Sequence, residues 1–132
     1  MRVLFDTNVL IAAFITHGTC SDLLEHCIRR HKIVSCQFIL EETRGHLHKK
    51  FKFSENDMLE VLEILNSVVE MVIPEPLQTS VCRDTDDDIV LAAAVTAQVD
   101  CVISGDKDLT DLKTFRGIPI LSPSQFSAFE AE

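Results

Sequence analysis

The chain of 132 residues suits one domain, because at this length folding buries roughly two thirds of the surface that the unfolded chain exposes. Its formal charge of -9 argues against nucleic-acid binding, which depends on Lys and Arg contacts to phosphate. Five cysteines without a C-x-x-C spacing argue against a disulfide framework or a zinc site, and no apolar run is long enough for a transmembrane helix. We therefore expect a single domain over residues 1–132 in a soluble, cytoplasmic protein with no membrane contact.

The first predicted element is a strand that ends in an acid. Residues 2–5 are apolar and bulky enough for a buried strand, and residues 9–14 start a helical periodicity, so Asp6-Thr7-Asn8 lies at the junction. In open α/β sheets, ligands bind beyond the carboxyl ends of the strands. Asp6 is therefore a candidate site residue. The alternative is that Asp6 or Asn8 only caps the following helix.

Helical and strand patterns alternate along the rest of the chain. Helices are predicted over residues 8–14, 21–28 and 37–50, after an N-cap at Ser54, over residues 86–99 after an N-cap at Thr85, and from Ser122-Pro123 to Phe129. Strands are predicted at residues 33–35, 68–73, 101–104 and 118–121, and Pro119 favours an edge position for the last. This alternation predicts a parallel sheet with helices on both faces.

Two adjacent acids lie on the predicted helix after the second strand. Glu42 follows Phe38 and Ile39 at helical spacing, so its face of the helix is partly apolar and turns inward. Glu41 is rotated away from that face and precedes Arg44 by three residues, which favours a solvated position. Glu42 is therefore the candidate, and Glu41 replaces it if the register shifts by one residue.

A run of acids, from Asp84 to Asp88, opens the strongly apolar helix. Acids in a first turn interact favourably with the helix dipole, by about 0.3 to 1 kcal/mol each, and this explains Asp86 and Asp87. Asp88 leads directly into the buried part of the helix and is the third candidate, with Asp87 as its alternative. Asp106, in the predicted turn after the next strand, is the fourth; an ordinary turn residue is the alternative there.

A cluster of such acids has a chemical consequence. Two ionised carboxylates about 4 Å apart repel by roughly 4 kcal/mol at an effective dielectric constant of 20, so the cluster must share protons or hold a cation. A set of oxygen ligands alone favours Mg²⁺ or Mn²⁺ over zinc. A site of this kind activates water and stabilises charge on a phosphoryl oxygen, which points to phosphodiester hydrolysis.

The motifs also resemble those of the PIN (PilT N-terminus) domain family, in the same order and at similar spacing. They are Asp6-Thr7-Asn8-Val9-Leu10, Leu40-Glu41-Glu42, Arg83-Asp84-Thr85-Asp86-Asp87-Asp88 before an Ala-rich helix, and Ser104-Gly105-Asp106-Lys107-Asp108-Leu109. The likeness extends from the first strand to the segment at residues 120–123. It is nearest to the bacterial and archaeal branch similar to VapC-type toxins of toxin-antitoxin pairs.

The resemblance implies a three-layer α/β/α fold with a short, mainly parallel central sheet. It implies a Mg²⁺- or Mn²⁺-dependent endoribonuclease, the toxin of a type II toxin-antitoxin pair, with RNA as substrate and a small antitoxin protein and a second copy of the chain as partners. The implied metal-binding and catalytic acids are Asp6, Glu42, Asp88 and Asp106, with Asp108 as a fifth metal ligand, and the implied supporting residues are Thr7, Asn8 and Ser104. Ser104 stands where the family usually has threonine, and Thr85 replaces a common proline.

Three further hypotheses concern binding and rival functions. The basic residues between Arg29 and Lys52, seven of the twelve in the chain, are expected to hold the RNA backbone. The first rival function is a PIN-fold binding module with weak or lost nuclease activity, which the acidic net charge favours. The second is a phosphoacceptor receiver domain, which needs a pair of acids beside the first strand; Asp6-Thr7-Asn8 lacks that pair.

Overall fold

The computed structural model describes all residues from Met1 to Glu132. Six strands form one sheet: β1 (Arg2–Phe5), β2 (Lys32–Ser35), β3 (Val69–Met71), β4 (Cys101–Ile103), β5 (Thr114–Phe115) and β6 (Ile118–Leu121). Their order is β3-β2-β1-β4-β6-β5, and every neighbouring pair is parallel except β5 and β6.

Seven α-helices connect and cover these strands. They are α1 (Thr7–Ile15), α2 (Thr19–Arg30), α3 (Gln37–Lys49), α4 (Glu55–Val68), α5 (Thr85–Ala97), α6 (Lys107–Thr110) and α7 (Phe126–Glu130), with a 3₁₀ turn at Pro123–Gln125 before α7. The predicted α/β fold with a short, mainly parallel sheet is therefore confirmed. None of the helices combines the length and hydropathy that a membrane span requires, and all five cysteines are free thiols.

The core lies on both sides of the three central strands. The apolar residues of β1, β2 and β4 are almost completely buried, as expected for parallel strands covered on both faces. Helix α5 is buried around most of its circumference, and Ala92 to Ala94 are at most 3% exposed. Small side chains let α5 lie close to the sheet, so its first turn is held firmly at one end of the strands.

Three local predictions were wrong. Asp84 is the N-cap of α5 because its side chain accepts a hydrogen bond from the Asp86 amide, whereas Thr85 is the first helical residue. The predicted turn after β4 is the start of the short helix α6, with Asp106 as its N-cap. Strand β6 lies inside the sheet because β5 pairs with its outer side. The Ile120 amide donates to the Lys113 carbonyl on that side, so the Pro119 nitrogen faces β4, where the pairing begins only at Ile120.

The parallel strands give the sheet two chemically distinct edges. We call the edge where β1, β2 and β4 end, after Phe5, Ser35 and Ile103, the carboxyl edge, and the edge where they begin the amino edge. From β1 the sheet continues to β2 on one side and to β4 on the other, so the strand order reverses between β1 and β4. The Asp6 amide donates a hydrogen bond to the Ile103 carbonyl at 2.9 Å across this crevice. Ligand sites of open α/β sheets lie at such a position.

Candidate metal centre

Asp6 is a buried carboxylate, only 6% exposed, at the end of β1. Its Oδ1 accepts a hydrogen bond from the Thr7 amide at 2.7 Å, and its Oδ2 accepts one from Ser104 Oγ at 2.8 Å. Burial raises the pKa of Asp6, against the effect of these hydrogen bonds, and the charges of Asp106 and Glu42 raise it further. Asp6 therefore caps α1 and also lies among other acids, so capping does not exclude the predicted role as a site residue.

Ser104 joins the ends of β1 and β4. Its buried hydroxyl donates to Asp6 and accepts a hydrogen bond from the Asp106 amide at 3.0 Å. Asp106 in turn caps α6, because its Oδ1 accepts from the Asp108 amide at 2.9 Å. One serine hydroxyl thus fixes both the rotamer of Asp6 and the backbone that carries Asp106.

Asp87 is the acid that α5 contributes to this crevice. It is 8% exposed. Burial and the charges of Asp106, Asp6 and Asp84 raise its pKa to about 7. Carboxylate oxygens of Asp87, Asp106 and Asp108 lie within 4.8 Å of one another. We call Asp6, Asp87, Asp106 and Asp108 the acidic cluster.

Asp88, the candidate predicted from the sequence, does not lie in the acidic cluster. Its position in the structure corrects that prediction. Its carboxylate accepts hydrogen bonds from the Cys82 amide at 2.8 Å, the Val81 amide at 3.2 Å and the Ser80 hydroxyl at 3.2 Å. Partial burial raises the pKa of Asp88, but these hydrogen bonds outweigh it and hold the pKa below its ordinary value. Adjacent helical residues point about 100° apart. A helix buried on nearly all sides gives no apolar stripe that could have distinguished Asp87 from Asp88.

Glu42 faces the end of β1, whereas Glu41 faces solvent. The Thr7 hydroxyl donates to Glu42 Oε1 at 2.9 Å, which brings Glu42 beside the acidic cluster. Glu41 is exposed and accepts a hydrogen bond from Gln37 Nε2 at 2.9 Å. Glu42, and not Glu41, therefore faces inward, as the apolar pattern of α3 predicts. Thr7 orients Asp6 through its amide and Glu42 through its hydroxyl, but exposed Asn8 makes no side-chain hydrogen bond to Asp6.

Arg83 is the cation that contacts the acidic cluster, and the sequence reasoning did not single it out. Its Nη2 lies 2.7 Å from Asp108 Oδ1, while its side chain is 85% exposed. Its position directly before a run of acids was the feature of the sequence that could have identified it. Of the basic residues between Arg29 and Lys52, Arg29 and Arg30 at the end of α2 and Lys32 at the start of β2 lie at the amino edge.

The composition of the acidic cluster fits a hard divalent cation. All four members are carboxylates, no histidine or cysteine belongs to the group, and a single guanidinium contacts it. Burial and then the charges of neighbouring acids raise the pKa of Asp87, and no neighbouring cation offsets them. Carboxylate oxygens are the ligands that Mg²⁺ and Mn²⁺ prefer.

Comparisons with known proteins bear on the fold and the family of the chain. No curated protein sequence matches the chain significantly. The chain is similar in fold to a chain in the crystal structure of VapBC2 from Rickettsia felis bound to a DNA fragment from their promoter: the TM-score is 0.66 and the identity 14%, over 92% of this chain and 98% of that one. The family model described as PIN domain matches residues 2–108, a range that contains the whole acidic cluster and Glu42. The chain therefore belongs to the PIN domain family.

Proposed function

We propose that the protein is a metal-dependent endoribonuclease that hydrolyses phosphodiester bonds of single-stranded or structured RNA. The observation that carries the proposal is the convergence of the acidic cluster at the carboxyl edge, where the pKa of Asp87 is raised to about 7. Burying several carboxylates together costs free energy unless a cation binds among them. Perturbed acids in a crevice of this kind are typical of functional sites.

In this proposal the acidic cluster holds Mg²⁺ or Mn²⁺, with Glu42 at its side. A bound divalent cation supplies Lewis acidity toward a phosphoryl oxygen and lowers the pKa of a water molecule. Ser104 and the Thr7 amide hold the Asp6 carboxylate in one orientation. Asp87 must give up its proton before all the carboxylates can act as ligands together, so metal affinity rises with pH.

Arg83 is proposed as the contact for the RNA backbone nearest to the reaction. Its guanidinium is exposed at the rim of the acidic cluster and can form two parallel hydrogen bonds to a phosphate. Arg29, Arg30 and Lys32 lie at the amino edge, at the opposite end of the strands from the acidic cluster. They remain candidates for holding a distant part of a longer RNA.

We further propose that the protein acts in the cytoplasm as the toxin of a type II pair, with a small antitoxin protein and a second copy of this chain as partners. The fold similarity to a chain of VapBC2 supports the antitoxin partner. A short reading frame beside the gene, whose product restores growth when both are expressed, is the expected finding. Light scattering of the purified chain measures whether it is a dimer.

The proposed activity is tested by cleavage of labelled RNA with and without Mg²⁺ or Mn²⁺. We expect Asp6→Asn and Glu42→Gln to lower the rate by roughly a hundredfold or more, because each removes a carboxylate from the proposed site. Glu41→Gln is the matched control, since it changes the neighbouring acid on the solvent side of α3, and it should cleave at the wild-type rate. Equal effects of the Glu41 and Glu42 variants would contradict the proposed site.

A PIN-fold binding module is the second candidate. Two observations favour it: the net charge of -9 and the position of Arg29, Arg30 and Lys32 at the edge opposite the acidic cluster. Failure to cleave any RNA at several millimolar Mn²⁺, together with retained binding of RNA or of a partner protein, would replace the nuclease by this function.

A further inference from the structure

A second group of metal-ligand side chains lies at the amino edge, at the other end of the strands from the acidic cluster. His26 belongs to α2, His31 lies between α2 and β2, and Glu130 is the last residue of α7. His26 Nε2 lies 2.7 Å from Glu130 Oε2, and His31 Nε2 contacts the same oxygen. The three ligand atoms all lie within 4.8 Å of one another.

Packing holds both imidazole rings in this orientation. The Phe126 ring lies edge-on to both, with centroid distances of 6.5 Å to His26 and 5.8 Å to His31, and the two imidazoles are themselves 5.8 Å apart. Phe126 is fully buried, so the aromatic group is anchored in the core. The nitrogen atoms that face Glu130 are therefore positioned before any ligand arrives.

We propose that His26, His31 and Glu130 form a binding site for a transition-metal ion of the zinc type, separate from the acidic cluster. Two imidazole nitrogens and one carboxylate oxygen suit Zn²⁺, and a water molecule completes a tetrahedral set. The acidic cluster offers oxygen atoms alone and suits Mg²⁺ or Mn²⁺. The two groups thus select different cations by ligand chemistry.

The ion replaces the hydrogen bonds that both histidines now make to one oxygen. Each imidazole then presents the unprotonated Nε2 to the metal. The amino group of Met1, which lies 3.1 Å from His31 Nδ1, is exposed and can turn away when that nitrogen carries the proton. Because the ligands come from elements separated by about a hundred residues of chain, the ion fastens α7 to α2 and β2 and stabilises the folded state.

The test is calorimetric titration of the full chain with ZnCl₂ in the presence of excess Mg²⁺, which occupies the acidic cluster. We expect one zinc site and a rise in the thermal midpoint. Glu130→Gln and His26→Gln should each weaken zinc binding by tenfold or more and remove that rise; even second-shell changes cost roughly 10- to 100-fold. His17→Gln, an exposed histidine outside the group, is the matched control and should bind zinc like the wild type.

Three outcomes would overturn the proposal: no zinc binding by the folded chain, binding that neither variant weakens, or binding that Asp106→Asn abolishes. The last would assign the zinc to the acidic cluster. The side chain of His26 is 42% exposed, so its replacement is not expected to unfold the protein and keeps the test valid if Glu130→Gln does. Since the readout is zinc affinity without RNA, the result is independent of the proposed nuclease activity.

Discussion

Carboxylates near the two edges of the sheet differ in the direction in which their pKa values are shifted. Two glutamates have a cationic or imidazole partner: Glu70 Oε2 lies 2.5 Å from Nη2 of Arg2, which begins β1 at the amino edge, and Glu130 contacts His26 and His31 there. Hydrogen bonds from these partners lower the pKa of both glutamates. At the carboxyl edge, burial and neighbouring acids raise the pKa values of Asp6 and Asp87 instead. When ionised, Glu70 and Glu130 therefore stabilise the fold, whereas Asp6 and Asp87 weaken it and need a functional explanation.

The largest effect that would test this contrast is expected from Asp87→Asn. In the folded protein the pKa of Asp87 is about 7, above its ordinary value of 3.8. The cost of ionising it is absent at pH values below about 4, grows as the pH rises toward 7 and is complete above 7. We expect the variant to be more stable than the wild type by about 2 to 3 kcal/mol at pH 8 without metal, and equally stable at pH 4. Denaturant unfolding at the two pH values measures both differences.

The same variant should lose most of its metal-dependent activity, by roughly a hundredfold, because a ligand is missing. Asp88→Asn is the matched control: it weakens hydrogen bonds to the loop before α5 and should lower stability by about 1 kcal/mol at pH 8. Substitutions at adjacent aspartates would thus change stability in opposite directions. A loss of stability in both variants would remove the argument that the carboxyl edge is strained by charge.

Much of this arrangement was accessible from the amino-acid sequence. Asp6 and Asp106 follow short apolar strands, so their positions at the carboxyl edge depend only on parallel pairing. Glu42 follows an apolar stripe on α3, which identifies its inward face. These predictions concern local periodicity and strand ends, which a single sequence records directly.

The remaining features depend on tertiary geometry that local patterns do not record. The first turn of α5 contains acids at every position from Asp86 to Asp88, and the helix is apolar on all sides, so rotation about its axis was undetermined. The contact of Arg83 with Asp108 joins a loop to a different helix, and Glu130 meets His26 across 104 residues. Such contacts appear only when the elements are assembled.

A smaller effect is expected from Ser104→Ala, which leaves the charges of the carboxyl edge unchanged and removes the hydroxyl that organises them. Asp6 loses a hydrogen bond of 2.8 Å and the Asp106 amide loses its acceptor. We expect a loss of about 1 to 2 kcal/mol in the free energy of unfolding, since Asp6 Oδ2 and the Asp106 amide each lose their hydrogen-bond partner near the core. The pKa of Asp6 should rise further, so that the metal titration by calorimetry shifts to higher pH.

Ser104→Thr keeps the hydroxyl and is the control for that substitution. It should restore the hydrogen bonds to Asp6 and the Asp106 amide if the additional methyl group is accommodated beside them. A Ser104→Ala protein with wild-type stability and an unchanged pH dependence of metal binding would show that the hydroxyl does not organise the acids.

The smallest effect is expected at the amino edge, from Glu70→Gln. Because the pKa of Glu70 is lowered by its hydrogen bond to Arg2, its contribution to stability is present above its ordinary pKa and is lost as the pH falls through the lowered value. The variant should therefore be slightly less stable than the wild type at pH 7 and should match it once the pH has fallen below the lowered pKa. High salt should reduce the difference at pH 7, since the pair is partly exposed. Suppose that Glu70→Gln instead stabilised the protein at pH 7, as Asp87→Asn is expected to do at pH 8. Ionised acids would then destabilise the fold at both edges, and the raised pKa of Asp87 would no longer mark the acidic cluster as a functional site.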